Sequence, residues 1–240
     1  MISMDVSVII SSKDPVGQTV KRLGYSFEEI DEDVTEFSYS KGDSIVMICR
    51  HESSTRTPAF TIHHPGNPGK SAMGGKPESL AIANARLLTS IFRSMTRIDA
   101  NIEKIIEATH HGPTEIPKPI TFVEIGSDPE MWNNEKLVGK LVEAVLKGIE
   151  RMEETDCQNT TLIYGGPHYS KLASTVAQSD CISHIISKHY ISELSSNVIV
   201  QSIERNITRP RTAVLDSIPR SKRETLTSIL SSNNISIELR

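Results

Sequence analysis

The sequence predicts an α/β domain in which a mixed, largely parallel sheet is flanked by helices. Three observations carry that reading. Short apolar runs of strand length alternate with amphipathic stretches along the whole chain. The chain opens strand-then-helix, with the apolar run Val6–Ile10 followed by Asp14-Pro15, a capping acid and a helix-starting proline. Its 240 residues, 37% hydrophobic and 23% charged, are ordinary for a globule and enough for a sizeable core. No composition shift marks a boundary, so one domain over 1–240 is expected.

The first helix should run to about Leu23, stopped by Gly24. The acidic stretch Glu28–Glu36 reads as a solvated surface turn. A hairpin across Lys41-Gly42-Asp43 is expected to lead into the strand Ser44–Cys49. Ala59–Ile62 reads as a strand delivering His63 and His64 to its end. The following segment is dense in Gly and Pro, and loops of that length in a compact domain are usually functional or disordered. Pro77-Glu78 then opens a predicted helix to about Met95, with Leu80, Ala83, Leu87, Leu88 and Ile91 on one face. Lys104–Ala108 and Ile120–Ile125 read as two buried strands joined by a polar loop that Pro113, Pro117 and Pro119 stiffen. A helix follows from Asn133/Asn134 to about Glu154. Then come strands at Thr160–Tyr164 and Ile182–Ile186, a helix at Glu193–Arg205, and a closing β-α-β over Ala213–Asp216, Pro219–Leu230 and Ile235–Leu239.

Composition narrows the function classes. No apolar run approaches the roughly 20 residues a membrane span needs, and the start of the chain is strand-like rather than a basic-then-apolar leader. The three cysteines are odd in number with no CxxC, Cys49 lies in an apolar run, and reduced thiols in a cytoplasmic protein are the default. Net charge is −4, yet Arg50–Arg97 holds seven basic residues against two acidic ones, a local surface compatible with a transient nucleic-acid substrate.

The chemistry concentrates in histidines. Seven of the eight (His51, His63, His64, His110, His111, His168 and His184) fall at or just past strand-like segments, with His189 elsewhere. In doubly wound folds ligands gather beyond strand ends, so convergence of these imidazoles on one rim of the sheet is expected. Glu107 and Glu124 stand at the ends of the central strands. Imidazole with carboxylate suits Zn²⁺, although no HExxH is present. His110 or His111, with His63 or His168, would hold a metal or the attacking water, and Glu107 or Glu124 would serve as base. The tracts Gly66–Lys76 and Gly165–His168 could present backbone N–H groups to an oxyanion or a phosphate. GNPGKS is not a P-loop, because His64 stands where GxxxxGK[ST] needs glycine.

RHESS, T-x-H-x-x-G-N, MGGK-x-ES, EATHHGPTE, FVEIGS followed by Trp132, and GG-x-HY together resemble the archaeal and plant-type D-aminoacyl-tRNA deacylase family, from about Ile45 onward. The resemblance implies a fold like phosphorylases and peptidyl-tRNA hydrolases, a Zn²⁺ cofactor, and hydrolysis of the ester between a D-amino acid and the tRNA 3′ end. No stable protein partner is expected. It implies catalytic roles for His51, Glu107, His111, Thr114 and Glu124, and metal ligation by His63, His110 and His168. Substrate contacts fall to Arg50, Asn67, Gly74, Gly75, Lys76, Gly165, Gly166 and Tyr169. Two departures stand in this sequence: Pro167 replaces a glycine before the His-Tyr pair, and Ser183 replaces the glycine before His184. Peptidyl-tRNA hydrolase or nucleoside-phosphorylase-like chemistry, or tRNA binding without turnover, are the alternatives.

Overall fold

In the computed structural model, residues 4–54 and 56–240 are described. Residues 1–3, on which part of the leader reading falls, lie outside them. Val6–Ser11 (β1) leads into Pro15–Arg22 (α1), and the Asp14 carboxylate accepts the Val16 and Gly17 N–H groups as an N-cap. Glu28–Ile30 (β2) is a strand, not a turn. It pairs parallel to β1 at the sheet edge, and only Ile30 of its three residues is buried. Its exposed acids hide the strand from pattern reading and also protect the edge from pairing with other chains.

Ser44–His51 (β3) also runs parallel to β1. The hairpin expected at Lys41–Asp43 is therefore absent, since neighbours running the same way need a crossover. Ala59–His63 (β4) is followed by Gly66–Asn67 (β5) and Ser79–Leu80 (β6), an antiparallel pair that closes the Gly/Pro-rich segment on itself. The helix expected from Pro77 starts at Ala85 instead (Ala85–Met95, α2). Tertiary partners hold residues 79–83 extended: Leu80 N–H donates to the Gln201 side chain, Ala81 N–H to Pro65 and Ala83 N–H to Arg205. Asn84 then caps α2 by accepting the Leu87 N–H.

Glu103–Glu107 (β7) and Ile120–Gly126 (β8) are the two central strands, but β4 lies between them. Pro129–Trp132 (α3) precedes Glu135–Glu150 (α4), which ends a turn earlier than expected. The remaining elements are Thr160–Gly165 (β9), Tyr169–Ser170 (β10), Lys171–Val176 (α5), Cys181–Ile186 (β11), Lys188–Ile191 (α6), Ser196–Glu204 (α7), Thr212–Asp216 (β12), Arg220–Ser232 (α8) and Ser236–Leu239 (β13). The helix expected from Glu193 begins at Ser196, where Ser195 accepts the Val198 N–H.

Seven strands form one sheet in the order β10-β7-β4-β8-β3-β1-β2; β4 against β8 and β10 against β7 are antiparallel and the rest parallel. A second sheet, β11-β9-β12-β13, is wholly parallel. The mixed, largely parallel α/β architecture read from the sequence is thus the observed one. Alternation along each strand divides the large sheet into two faces. Ile48, Phe60, Ile62, Ile106, Val123 and Ile125 face α1, α2 and α4, in a core that also takes Ile163, Ile182 and Val214 from the second sheet. The opposite face carries Met47, Cys49 and Phe122, and on it sits the chemistry described below.

The reduced-thiol expectation is corrected by a disulfide between Cys157 and Cys181, whose Cα atoms are 5.3 Å apart across 24 residues. The partners meet because Gln158 and Asn159 hydrogen-bond with Ser179 and Cys181 through the backbone, a tertiary contact that cysteine spacing does not show. Cys49 is free and buried, as expected. No helix among the described residues is long and apolar enough to cross a membrane.

Candidate functional site: a buried histidine–carboxylate cluster

Strand register assembles the site. On the face away from α2, Cys49, Glu124, Thr61 and Ile105 stand side by side on β3, β8, β4 and β7. The neighbouring row is His51, Gly126, Ala59 and Glu103. Glu107 faces Tyr169 across β7 and β10. Gly126 has no side chain and Ala59 only a methyl, which leaves room for the His51 ring to lie across the sheet.

Glu124 is almost wholly buried and gathers three imidazoles: His51 Nδ1 at 3.1 Å, His63 Nε2 at 3.3 Å and His111 Nε2 at 3.8 Å. The Thr61 hydroxyl donates to it at 3.2 Å. Glu107, equally buried, has His51 Nδ1 at 3.1 Å, His168 Nε2 at 3.2 Å and His110 Nε2 at 3.5 Å. His51 bridges the two carboxylates, and its Nε2 lies 3.0 Å from the Tyr169 hydroxyl. Above these groups opens a cavity of about 410 Å³, lined among others by Val34, Arg50, Met73, His110, His168 and Tyr169.

The site polarises its groups in opposite directions. Burial alone would raise Glu124, but hydrogen bonds from His111, His51 and His63 hold the carboxyl well below its usual range. Burial pulls His51 down, and its hydrogen bond to Glu124 with the Glu107 charge outweighs that and raises it. His110 goes far below the usual imidazole value through burial and the neighbouring His63, so it is a neutral ring.

Backbone carbonyls fix one ring proton on each of two histidines. A carbonyl oxygen can only accept, so the His110 contact at 2.9 Å to Ala108 and the His111 contact at 2.6 Å to Gly112 place the proton on Nδ1 in both. The neutral His110 ring therefore turns its Nε2 lone pair toward Glu107, 3.5 Å away, an arrangement that suits a cation between them. His63 Nδ1 is buried with no hydrogen-bond partner. Ligand atoms of His63, His110 and His111 all lie within 4.8 Å of one another, as do those of Glu107, His110 and His168, and of His51, Glu107 and Glu124. Imidazoles whose second nitrogen is held by a carbonyl or carboxylate are what zinc sites use, so these residues fit a divalent metal.

The expected convergence is therefore found for His51, His63, His110, His111, His168, Glu107 and Glu124, but on the sheet's face rather than along one rim. The antiparallel β4 is the reason, because its C-terminal His63 pairs beside Phe122 near the start of β8. Arg50 lines the cavity with its guanidinium 3.0 Å from the buried Asp14 carboxylate. Other expected residues sit outside the lining. Asn67 gives its amide to the Gly74 and Lys76 carbonyls and accepts the Met73 N–H, tying the loop together. Thr114 accepts the Lys76 N–H at 2.9 Å, and Lys76 Nζ pairs with Glu115 at 2.5 Å.

Gly74 and Gly75 allow that loop to touch Thr35 and Thr114; a Cβ on Gly74 would stand 2.0 Å from the Thr35 carbonyl. Gly165 and Gly166 pack on Asp216 in the same way, turning the chain from β9 toward His168. His64 and His184 form a separate buried pair with ring centroids 5.7 Å apart, and burial pushes them down to about 3 and about 4. Ser183 hydrogen-bonds Asn206 there, outside the cavity lining. Sequence reasoning missed Thr61 and Met73. Thr61 was findable, since it stands two before His63 on one strand, whereas nothing local marks Met73.

The sequence model of the family described as D-aminoacyl-tRNA deacylase matches residues 38–238. A protein of Saccharolobus islandicus named D-aminoacyl-tRNA deacylase is 51% identical over 237 residues, 99% of this chain and 100% of its own length. Namesakes from Saccharolobus solfataricus and Sulfurisphaera tokodaii are 47% and 46% identical, each over 99% of this chain and all of their own. A crystallised conserved protein of unknown function shares the fold at TM-score 0.88 and 23% identity, covering 100% of this chain and 96% of that one.

Proposed function

The chain belongs to the D-aminoacyl-tRNA deacylase family, and from that premise we propose that the histidine–carboxylate cluster hydrolyses the ester joining a D-amino acid to the tRNA 3′ end. The products are free D-amino acid and tRNA, and the substrate places the reaction in the cytoplasm. The observation that carries the assignment is the pair of buried carboxylates wrapped by imidazoles, Glu124 lining the cavity and Glu107 beneath its His110 and His168 walls.

An aminoacyl ester is activated already, so the protein has to position water, take its proton and stabilise the tetrahedral oxyanion. Glu124 is the fixed anion: its imidazole partners hold it ionised, and it orients His51 and His63 through hydrogen bonds. Glu107 is the base. Its Oε1 has an ion-pair neighbour in His51 but no aligned hydrogen bond, leaving a lone pair for the water proton. As the intermediate collapses, that proton passes from Glu107 to the departing ribose oxygen. His51, its basicity raised by both carboxylates, donates to the Tyr169 oxygen and frees the phenolic proton for the oxyanion. Arg50, fixed by Asp14, meets nucleotide phosphate at the cavity mouth.

Zn²⁺ would be held by His63, His110 and His111, with His168 and Glu107 beside them, and would polarise the ester carbonyl and acidify the bound water. The decisive experiment is deacylation of D-Tyr-tRNA by Glu107→Gln. Loss of a positioned general base lowers kcat by about 10²–10⁴-fold with the unfolding midpoint nearly unchanged. Full activity in the folded variant would refute the assignment.

A further inference from the structure

His51 and Tyr169 line two cavities, not one. Beyond their contact, and away from Arg50, lies a smaller space of about 270 Å³ whose walls are Ala59, Ile105, Thr57 and the two rings, with Glu103 and Lys171 at its lip. Ala59 and Ile105 are 5% and 3% exposed and project from the same sheet face as Glu107 and Glu124. Ile105 precedes Glu107 by two residues on β7, roughly 7 Å along a strand. An acyl carbon held at Glu107 would thus carry a substituent that reaches Ile105.

We propose that this second cavity receives the amino-acid side chain of the ester, and that Ala59, Ile105 and the Tyr169 ring set which side chains are accepted. Polarity separates the two directions leading from the reaction centre. Arg50, Asp33, Glu52, Glu124 and four imidazoles line the larger cavity, and Lys76, Arg205, Glu115 and Glu204 line the next one, of about 530 Å³. The polar ribose and phosphate groups of the tRNA end therefore find their partners on that side. The Ile105 cavity offers one acid and one base, with no surplus positive charge, over an apolar floor. Such a lining suits an uncharged aliphatic or aromatic side chain. The competing occupant, the terminal adenine, would make any change in this cavity act equally on all aminoacyl groups.

The proposal rests on the deacylase reading, and the experiment keeps the two apart. kcat/KM is measured for D-Tyr-tRNA and D-Ala-tRNA with wild type, Ala59→Phe and Ile105→Ala. Filling the cavity with A59F should lower the Tyr-to-Ala ratio by about tenfold or more, and emptying it with I105A should raise the ratio severalfold. A ratio unmoved by I105A, whatever happens to A59F, overturns the proposal. Wild-type protein that releases neither amino acid brings down the deacylase reading itself.

Discussion

The Nε2 atom of His110 is the most informative atom in the molecule, because a backbone carbonyl at Nδ1 dictates where its lone pair points. A prediction follows at this scale. Stripped of metal by a chelator, the protein should gain thermal stability on adding Zn²⁺, about 2.7 kcal/mol when free Zn²⁺ is a hundredfold above its Kd. His110→Ala and His63→Ala should lose that gain, as read by calorimetric melting. A wild-type midpoint indifferent to Zn²⁺ removes the metal from the mechanism. Much of this cluster was legible beforehand. Glu107, His110 and His111 lie within five residues, and His63 ends an apolar run. The opposite fates of His64 and His63 were not legible, because adjacent strand residues face opposite sides and only the fold says which side is wet.

Among elements, the strands were read well and the Gly-rich loops least well. Glycine serves two purposes that composition cannot tell apart: baring an amide for a ligand, and letting two backbones touch. Gly74 and Gly165 do the second. The late start of α2 has a related cause, since the partners that hold residues 79–83 extended come from Pro65, Gln201 and Arg205, far away in sequence. Gly74→Ala tests the loop. At φ +68° its Cβ would meet the Thr35 carbonyl, whereas Gly24, at φ +84°, has nothing within 4 Å. Gly24→Ala should cost only the dihedral penalty of about 1 kcal/mol and spare activity. Gly74→Ala should cost roughly 2–3 kcal/mol and slow deacylation, since the Met73 carbonyl holds the Gly112 N–H beside His111. Denaturant melts and kcat/KM on both variants check this; equal behaviour would show that the loop packing is incidental.

At the scale of the whole molecule, two sheets share one core, and the disulfide pins the loop after α4 to the first residue of β11. Closing a loop of 24 residues constrains the unfolded chain by roughly 3 kcal/mol. Cys157→Ser, or a reductant, should therefore lower the melting midpoint by roughly 5–10 °C while leaving turnover at moderate temperature intact. An unchanged midpoint would mean the bond contributes nothing. Cysteine counting passed over the bond because only the fold brings Cys157 and Cys181 together. The chain returns from the smaller sheet to the larger where β9 turns at Gly165 and lays β10 antiparallel on the edge of β7. Through that one crossing the smaller sheet hands His168 and Tyr169 to a centre otherwise built from residues before Gly126. A nascent chain still emerging from the ribosome consequently carries an incomplete centre until β9 and β10 have been delivered. Until Tyr169 has left the ribosome, the nascent hydrolase has no complete centre with which to attack charged tRNA.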